Sequence, residues 1–204
     1  MSTHAYRRRG EARSQATRRR ITEAVRQLLA EGAFHTSTVE QVAERAGVSR
    51  ATVYQHFRSR IDLVDAICDT FDANPALLEL RETVADADPH HALRRTVALC
   101  VRFWSSEDAV LAELYGIVAL DEAAADLVVR QRADRSGEMR RLAHTLARTA
   151  ALRPGVSEAR AHELLLVLTS YETFRELRAA GLSDRRITSL LQGAAGDLVA
   201  AGRS

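Results

Sequence analysis

Apolar residues recur at the three- and four-residue spacing of an amphipathic helix over most of the 204-residue chain. No stretch of useful length shows the alternation of apolar and polar positions that marks a half-buried strand. Near the N-terminus the pattern predicts a leading helix that ends close to Gly32, two short helices between Ser37 and Phe57, and a fourth helix from Ser59 to about Phe71. The chain is therefore predicted to be all-α.

Beyond residue 71 the apolar pattern stays helical and is interrupted only by turn signals. The clearest of these is Arg153-Pro154-Gly155, because a Pro-Gly pair marks a turn. Further helices are predicted from Pro89 to Trp104, from Ser105 to Gly116, from about Asp121 to Ala151, from Ser157 to about Ala180, and after a cap at Ser183.

The turn between the two short N-terminal helices carries strong local signals. Ser37 stands three residues before Glu40, which is the spacing of a capping box, and Ser49 is a second N-cap candidate. Gly47 lies where a left-handed residue is needed after the first of these helices. Two short helices joined in this way predict a helix-turn-helix, a motif that places its second helix in the major groove of DNA.

Five short motifs follow one another at fixed spacing around this turn. They are E-G-A-F at 31–34, T-V-E-Q-V-A at 38–43, A-G-V-S at 46–49, T-V-Y-Q-H-F at 52–57 and S-R-I-D-L at 59–63. With these motifs, residues 16–71 resemble the N-terminal domain of the TetR family of transcriptional repressors. The resemblance implies a three-helix helix-turn-helix domain that binds double-stranded DNA, followed by a larger helical domain for ligand binding and dimerisation.

The same resemblance suggests a division of the chain into four segments. They are a basic flexible arm (1–15), a helix-turn-helix DNA-binding domain (16–58), a connecting helix (59–73) and a helical effector-binding and dimerisation domain (74–204).

In a recognition helix from Ser49 to Phe57, Val53 and Phe57 are one turn apart and are predicted to face the domain core. The other side chains then face outward and combine a guanidinium, hydroxyls, an amide and a small residue, which suits groove reading. The resemblance implies that the helix contributes phosphate contacts and base contacts, with two further phosphate contacts from outside it. The predicted DNA-binding residues are Thr38, Arg50, Ala51, Thr52, Tyr54, Gln55, His56 and Arg60.

The larger domain is expected to bind a small lipophilic effector, because bulky apolar and aromatic residues lie on the helices that would enclose its core. Each of these residues can equally be an ordinary core residue, and the sequence leaves that alternative open. The candidates are Phe103, Trp104, Tyr115, Met139, His144, Leu168, Tyr171 and Phe174.

The last two predicted helices carry apolar residues on more than one face, so each must cover more than one neighbour. The resemblance implies that two copies of the chain pair through these helices as a four-helix bundle. The alternative is core packing within one copy. The interface candidates are Leu164, Leu168, Ile187, Leu190, Leu191, Ala194 and Leu198.

The net charge of +2 conceals an asymmetry along the chain. Residues 1–60 carry 12 Arg against 5 Glu, a net of +7, whereas residues 61–204 carry 17 Arg against 22 acidic residues, a net of −5. A basic N-terminal end suits binding to phosphates. The arm, which includes Arg7, Arg8, Arg9 and Arg13, is expected to be disordered when free, and it either contacts DNA or is only a solvated tail.

Several other classes of protein do not fit the sequence. No apolar run approaches the ~18 residues needed to span a bilayer, and none follows the basic N-terminus as in a signal peptide, so a cytoplasmic protein without membrane contact is expected. Cys68 and Cys100 are expected to be small buried hydrophobes. No catalytic set or metal-ligand spacing is visible, so neither an enzyme, a cofactor nor a metal site is predicted.

The expected function is a ligand-responsive repressor; an activator of the same fold and a non-specific architectural DNA-binding protein remain as alternatives.

Overall fold

In the computed structural model the backbone is described for residues 2–84, 86, 88–118 and 122–200, and the side chains for the same residues except 2–7, 9, 122–125, 127 and 128. The prediction of an all-α fold is confirmed, because this part of the chain contains no strand and only one isolated antiparallel bridge, between Leu152 and Val199. Its helices are α1 (Ser2–Ala30), α2 (Val39–Ala46), α3 (Arg50–His56), α4 (Arg60–Phe71), α5 (Pro75–Thr83), α6 (Pro89–Val118), α7 (Glu122–Arg148), α8 (Glu158–Leu168), α9 (Tyr171–Ala179) and α10 (Asp184–Gly196).

Polar side chains define where many of these helices begin. A hydroxyl or amide oxygen just before the helix accepts a hydrogen bond from a backbone N–H of the first turn, which would otherwise lack an intrahelical partner. The capping residues of this kind are Thr38 for α2, Ser49 for α3, Asn74 for α5, Ser157 for α8, Ser170 for α9 and Ser183 for α10.

The chain divides into two compact units, and each draws on two separate stretches of sequence. Unit 1 consists of Met1–Thr70 and Asp108–Leu127, and unit 2 consists of Phe71–Glu107 and Val128–Ser204. The four segments expected from the sequence are a functional division and stay a proposal.

The core of unit 1 is formed by large apolar side chains from the first helices and the loops between them. Helix α1 packs against α2, and α2 packs against α3. Six of the core side chains expose no surface: Ile21, Val25, Leu29, Phe34, Val42 and Ile67.

The second stretch of unit 1 is joined to the loop that follows α1. The carboxylate of Glu113 accepts a hydrogen bond from the backbone N–H of His35 at 3.0 Å and lies 2.6 Å from Nδ1 of the same residue. This contact between residues 78 positions apart therefore joins the two stretches of sequence that make up unit 1.

Helix α1 extends much further toward the N-terminus than the sequence suggested. The arm 1–15 was expected to be flexible, but the structure has a helix from Ser2 onward. Four of the fifteen residues of the arm are Arg and two are Ala, which favour helix, and the arm contains no proline that would end the helix. The side chains of Arg7 and Arg9 lie outside the described part, while Arg8 and Arg13 are exposed.

Three helix boundaries beyond residue 71 differ from the predictions. Helix α6 is continuous through Ser105 and Ser106, because the Ser106 hydroxyl donates to the carbonyl of Phe103 and leaves the helical backbone intact. The single helix predicted from Ser157 to about Ala180 is two helices, because the Ser170 hydroxyl accepts from the backbone N–H of Thr173 at 3.0 Å and starts α9. Helix α5, with Pro75 in its first turn, had not been delimited.

Candidate DNA interface

Helix α2 begins one residue later than predicted. Ser37 was expected to cap it with Glu40 as the capping-box partner, but the Ser37 hydroxyl donates to the carbonyl of Phe34 at 2.8 Å. Thr38 is the N-cap instead: its hydroxyl accepts from the backbone N–H of Gln41 at 3.3 Å, and the Gln41 side chain accepts from the N–H of Thr38 at 2.8 Å. Thr38 therefore stands at the N-terminus of a helix, where backbone dipoles favour an anion.

The turn between α2 and α3 depends on Gly47, as the sequence predicted. Gly47 has φ +62° and ψ 41°, the left-handed conformation that side chains other than glycine rarely adopt. A Cβ atom added there would stand 2.7 Å from Nη2 of Arg20. That guanidinium donates to the carbonyls of Ala46 at 2.6 Å and Gly47 at 2.8 Å, so it satisfies the end of α2.

Helix α3 presents the face that the sequence predicted. Val53 and Phe57 are only 1% and 2% exposed, and Ser49 caps the helix by accepting from the N–H of Thr52 at 3.1 Å. The prediction that Val53 and Phe57 face the core is thus confirmed. The other side chains form the outer face of α3: Arg50, Ala51, Tyr54 and Gln55 are exposed, and Thr52 and His56 are half-buried.

The guanidinium of Arg50 rests on the protein surface in contacts that water can reach. Its Nη1 lies 2.6 Å from Oε1 of Glu40, and the group lies 5.4 Å from the ring centre of Tyr54. The hydrogen bond with Tyr54, followed by the charge of Glu40, raises the pKa of Arg50 above its usual value. Both members of the ion pair are more than half exposed, so a stronger anion can displace Glu40 at little cost.

The structure does not place Arg60 with the outer face of α3. Its guanidinium donates to the carbonyl of Ser37 at 2.7 Å and to that of Phe34, and it lies 3.9 Å from the ring centre of Phe34. Burial lowers the pKa of Arg60, and the charge of Glu113 opposes that shift. Arg60 therefore holds the loop before α2 in place.

Replacing Arg60 with methionine is expected to lower the free energy of unfolding by about 1.5–3 kcal/mol, because two carbonyls lose a charged donor while the apolar stem is kept. Urea unfolding of the purified variant measures this. Arg58→Met is the matched control, since Arg58 is exposed and should change stability by less than about 0.5 kcal/mol. If stability is unchanged and the salt dependence of DNA binding becomes weaker, Arg60 contacts a phosphate and does not support the loop.

One supporting residue was missed by sequence reasoning. Arg18 donates from Nη1 to the carbonyl of His56 at 3.0 Å, and its guanidinium lies 4.3 Å from the ring centre of Phe57. It therefore fixes the C-terminal end of α3 to α1. The only signal in the sequence was the run of three arginines just before the buried Ile21.

The effector candidates of unit 2 are mostly packed against one another. Rings follow in a chain from Phe71 to Phe103 (5.7 Å between centroids), Trp104 (4.8 Å), Tyr171 (5.4 Å) and Phe174 (6.2 Å). The indole N–H of Trp104 donates to the carbonyl of Thr169 at 3.0 Å. Four of the candidates (Phe103, Trp104, Tyr171 and Phe174) thus belong to one aromatic cluster of unit 2.

The remaining effector candidates are dispersed. Met139 is fully buried, Leu168 is half-buried, and His144 is exposed with Nδ1 3.3 Å from Glu158. Tyr115 belongs to unit 1, so it is not grouped with the others.

The two cysteines differ in their surroundings. Burial raises the pKa of Cys100 to about 12, which keeps it a thiol, as expected for a small buried hydrophobe. Cys68 is only half-buried, so the prediction of a buried residue is met in part there.

The dimer candidates separate into two groups. Ile187, Leu191 and Leu198 are 0–4% exposed, so they serve the core of their own chain and the prediction that they face a partner is not supported. Leu190 is 50% exposed and Ala194 is exposed on α10, while Leu164 and Leu168 are half-buried on α8. Val167 on α8, which is not among the interface candidates, is 59% exposed. Helices α8 and α10 pack against each other.

Two further classes of site are absent from the part of the chain that the structure describes. No group of three His, Cys, Asp or Glu side chains there is arranged to hold a metal ion. Among the described helices, none combines the length and the apolar character needed to cross a membrane.

Comparison with known proteins supports the interpretation of the N-terminal domain. Residues 21–67 match the model for bacterial regulatory proteins of the tetR family. The uncharacterized HTH-type transcriptional regulator YdeS of Bacillus subtilis (strain 168) is 32% identical over 120 residues, which are 58% of this chain and 58% of that protein. The match thus spans less than two thirds of this relative's length.

Solved structures share the fold over nearly the whole chain. A regulator from Rhodococcus sp. assigned to the TetR family superposes with a TM-score of 0.72 at 21% identity, covering 91% of this chain and 100% of the other. SmeT, the repressor of the Stenotrophomonas maltophilia multidrug efflux pump SmeDEF, gives 0.71 at 22% identity, covering 93% of each chain. Residues 21–67 therefore form a domain of the tetR family of bacterial regulatory proteins, and the solved structures show that the fold of the whole chain is the one found in such regulators.

Proposed function

We propose that the chain is a ligand-responsive transcriptional repressor that binds a pseudopalindromic DNA operator as a homodimer and is released by a small lipophilic effector. The observation that carries the proposal is the outer face of α3. Six positions of this helix present polar or small side chains outward, while Val53 and the C-cap residue Phe57 are buried. Such a face can hydrogen-bond to base edges in the major groove.

The proposed DNA-contacting residues are the outer face of α3 together with the N-cap of α2. Thr38 offers a hydroxyl at a helix N-terminus, which suits a phosphate. Tyr54 and His56 are proposed for phosphates, and the others for base edges. The set is Thr38, Arg50, Ala51, Thr52, Tyr54, Gln55 and His56.

A homodimer is proposed because α8 and α10 expose large apolar side chains. Val167 and Leu190 are each at least half exposed, which suits coverage by a second copy of the same helices. A dimer with two α3 helices binds a site with two half-sites, and the second contact gains from the high effective concentration that the first creates.

The aromatic cluster of unit 2 supports the effector part of the proposal. Aromatic side chains are the usual lining of sites for lipophilic ligands, and this cluster supplies four of them from the candidates. A ligand that prefers the form in which the two α3 helices are wrongly spaced weakens operator binding by linkage. A ~100-fold preference corresponds to about 2.7 kcal/mol, which is enough for a switch.

Selection of bound fragments from random or genomic DNA by the purified full chain tests the proposal. Recovery of a two-fold related sequence, preferred by ~10³-fold or more over unrelated DNA, is the expected result. Binding that is nearly independent of sequence would instead identify a non-specific architectural protein, and the position of the recovered site relative to a promoter would distinguish repression from activation.

Replacing Arg50 with alanine is expected to weaken binding to the selected site about 5- to 150-fold, the range for loss of a bidentate contact with guanine. Binding to unrelated DNA should change much less, since a base contact carries the sequence preference. Titration of both duplexes in fluorescence anisotropy measures the two affinities. Arg58→Ala, an exposed arginine outside α3, is the control. An equal loss on both duplexes would reassign Arg50 to a phosphate.

A further inference from the structure

In the first half of α1, almost all of the side chains that the structure describes are exposed. Helix α1 has 29 residues, and the first of its described residues to be buried is Ile21. Every described side chain from position 8 to position 20 is exposed, apart from the half-buried Thr17. We call residues 2–20 the N-terminal overhang. At 1.5 Å per residue it is about 28 Å long, and no apolar stripe explains its presence.

The C-terminal end of the overhang lies beside α3. Arg18, near its end, donates to the carbonyl of His56, the last residue of α3, and Arg20 donates to the end of α2 at Ala46 and Gly47. The residues before Arg18 therefore start from the C-terminal end of α3. A duplex whose groove holds α3 passes next to that point.

The overhang has the charge that a duplex requires. Residues 7–20 contain seven Arg and one Glu, a net of +6, without any other charged residue. Arg8 and Arg13 are described and exposed. Like charges along one helix repel each other, and phosphates that lie against the helix remove that repulsion.

We propose that the N-terminal overhang is a second DNA contact in which Arg8 and Arg13 bind phosphates flanking each half-site, independently of sequence. The proposal rests on the proposed function, since it needs α3 in the major groove. The two contacts have different effects on binding. Helix α3 selects the site, whereas the overhang lengthens the contacted duplex and adds salt-dependent affinity.

The experiment compares the full chain with the double variant Arg8→Gln, Arg13→Gln. Glutamine keeps the helix propensity of arginine, so α1 should fold in the variant. Affinity is measured at several salt concentrations on two duplexes, a short one limited to the two half-sites and a long one extended by about one helical turn on each side. The control variant is Arg148→Gln, Arg185→Gln, which removes two exposed arginines from unit 2.

The wild-type chain is expected to bind the long duplex more tightly than the short one, and the double variant to show no such difference. The slope of log affinity against log salt on the long duplex should become shallower by up to about 0.9 for each phosphate that the variant no longer binds, while sequence preference is retained. The control variant should behave as wild type.

Two other outcomes overturn the proposal in different ways. If the double variant keeps the salt slope and the benefit of the longer duplex, while Arg50→Ala still loses sequence preference, the overhang has no role in binding and the proposed function stands. If neither the wild-type chain nor the variant prefers any duplex, the proposed function fails and the overhang proposal fails with it.

Discussion

Replacing Leu190 with aspartate is expected to leave the protein monomeric at micromolar concentration and to weaken operator binding by about 10²-fold or more. Leu190 is half exposed on α10, which packs against α8, and α8 itself exposes Val167. If a second copy covers this surface, the variant must bury a carboxylate without a partner, which is strongly unfavourable. Loss of the dimer then removes the gain that comes from two linked α3 helices.

Analytical ultracentrifugation and operator titration of the same preparation measure the two effects of Leu190→Asp together. Ser189→Asp is the matched control: it is exposed on the same helix and points about 100° away from Leu190. The control should remain dimeric and bind normally. A dimeric Leu190→Asp protein with normal affinity would place the interface elsewhere on the chain.

Replacing Gly47 with valine is expected to lower the free energy of unfolding of the chain by about 2.5–6 kcal/mol, because two costs combine. A β-branched residue in the left-handed region carries strain of about 1–3 kcal/mol. In addition, its Cβ would stand 2.7 Å from the Arg20 guanidinium, which would have to give up its hydrogen bonds to Ala46 and Gly47. Bonds to a charged donor contribute about 1.5–3 kcal/mol in total, so the two effects add.

Urea unfolding followed by circular dichroism measures the effect at Gly47, and Gly47→Asn separates its two causes. Asparagine tolerates the left-handed conformation but also carries a Cβ, so it retains the close approach to Arg20 while reducing the strain. It should lose clearly less stability than valine. Equal losses would show that displacement of Arg20 dominates, and no loss in either variant would refute the account of the turn.

The fold was predictable where the pattern along the chain is local and strong. The inward face of α3 followed from Val53 and Phe57 one turn apart, and the turn followed from Gly47. Helix boundaries were less accessible. Ser37 and Thr38 each precede a suitable partner by three residues, and the hydrogen bond from Ser37 to the carbonyl of residue 34 decides between them in the folded chain.

The candidate site was only partly predictable, because two of its features depend on contacts between distant positions. Arg60 looked like a phosphate ligand, yet its partners are carbonyls 23 and 26 residues earlier, which no local pattern reveals. Leu190 and Leu191 are equally apolar in the sequence, and only packing shows that the first is exposed and the second is buried. Periodicity identifies an apolar face, but it does not say which chain covers that face.

The bond between His35 and Glu113 has a consequence for the order in which the protein is made. Unit 1 takes residues from two stretches that are separated by residues 71–107. On the ribosome, the three N-terminal helices emerge long before Glu113, so the loop ahead of α2 cannot form this bond until a residue 78 positions later has been synthesised. A nascent chain therefore completes unit 1 only after most of α6 has been translated, and a fragment cut at Thr70 would lack the bond altogether.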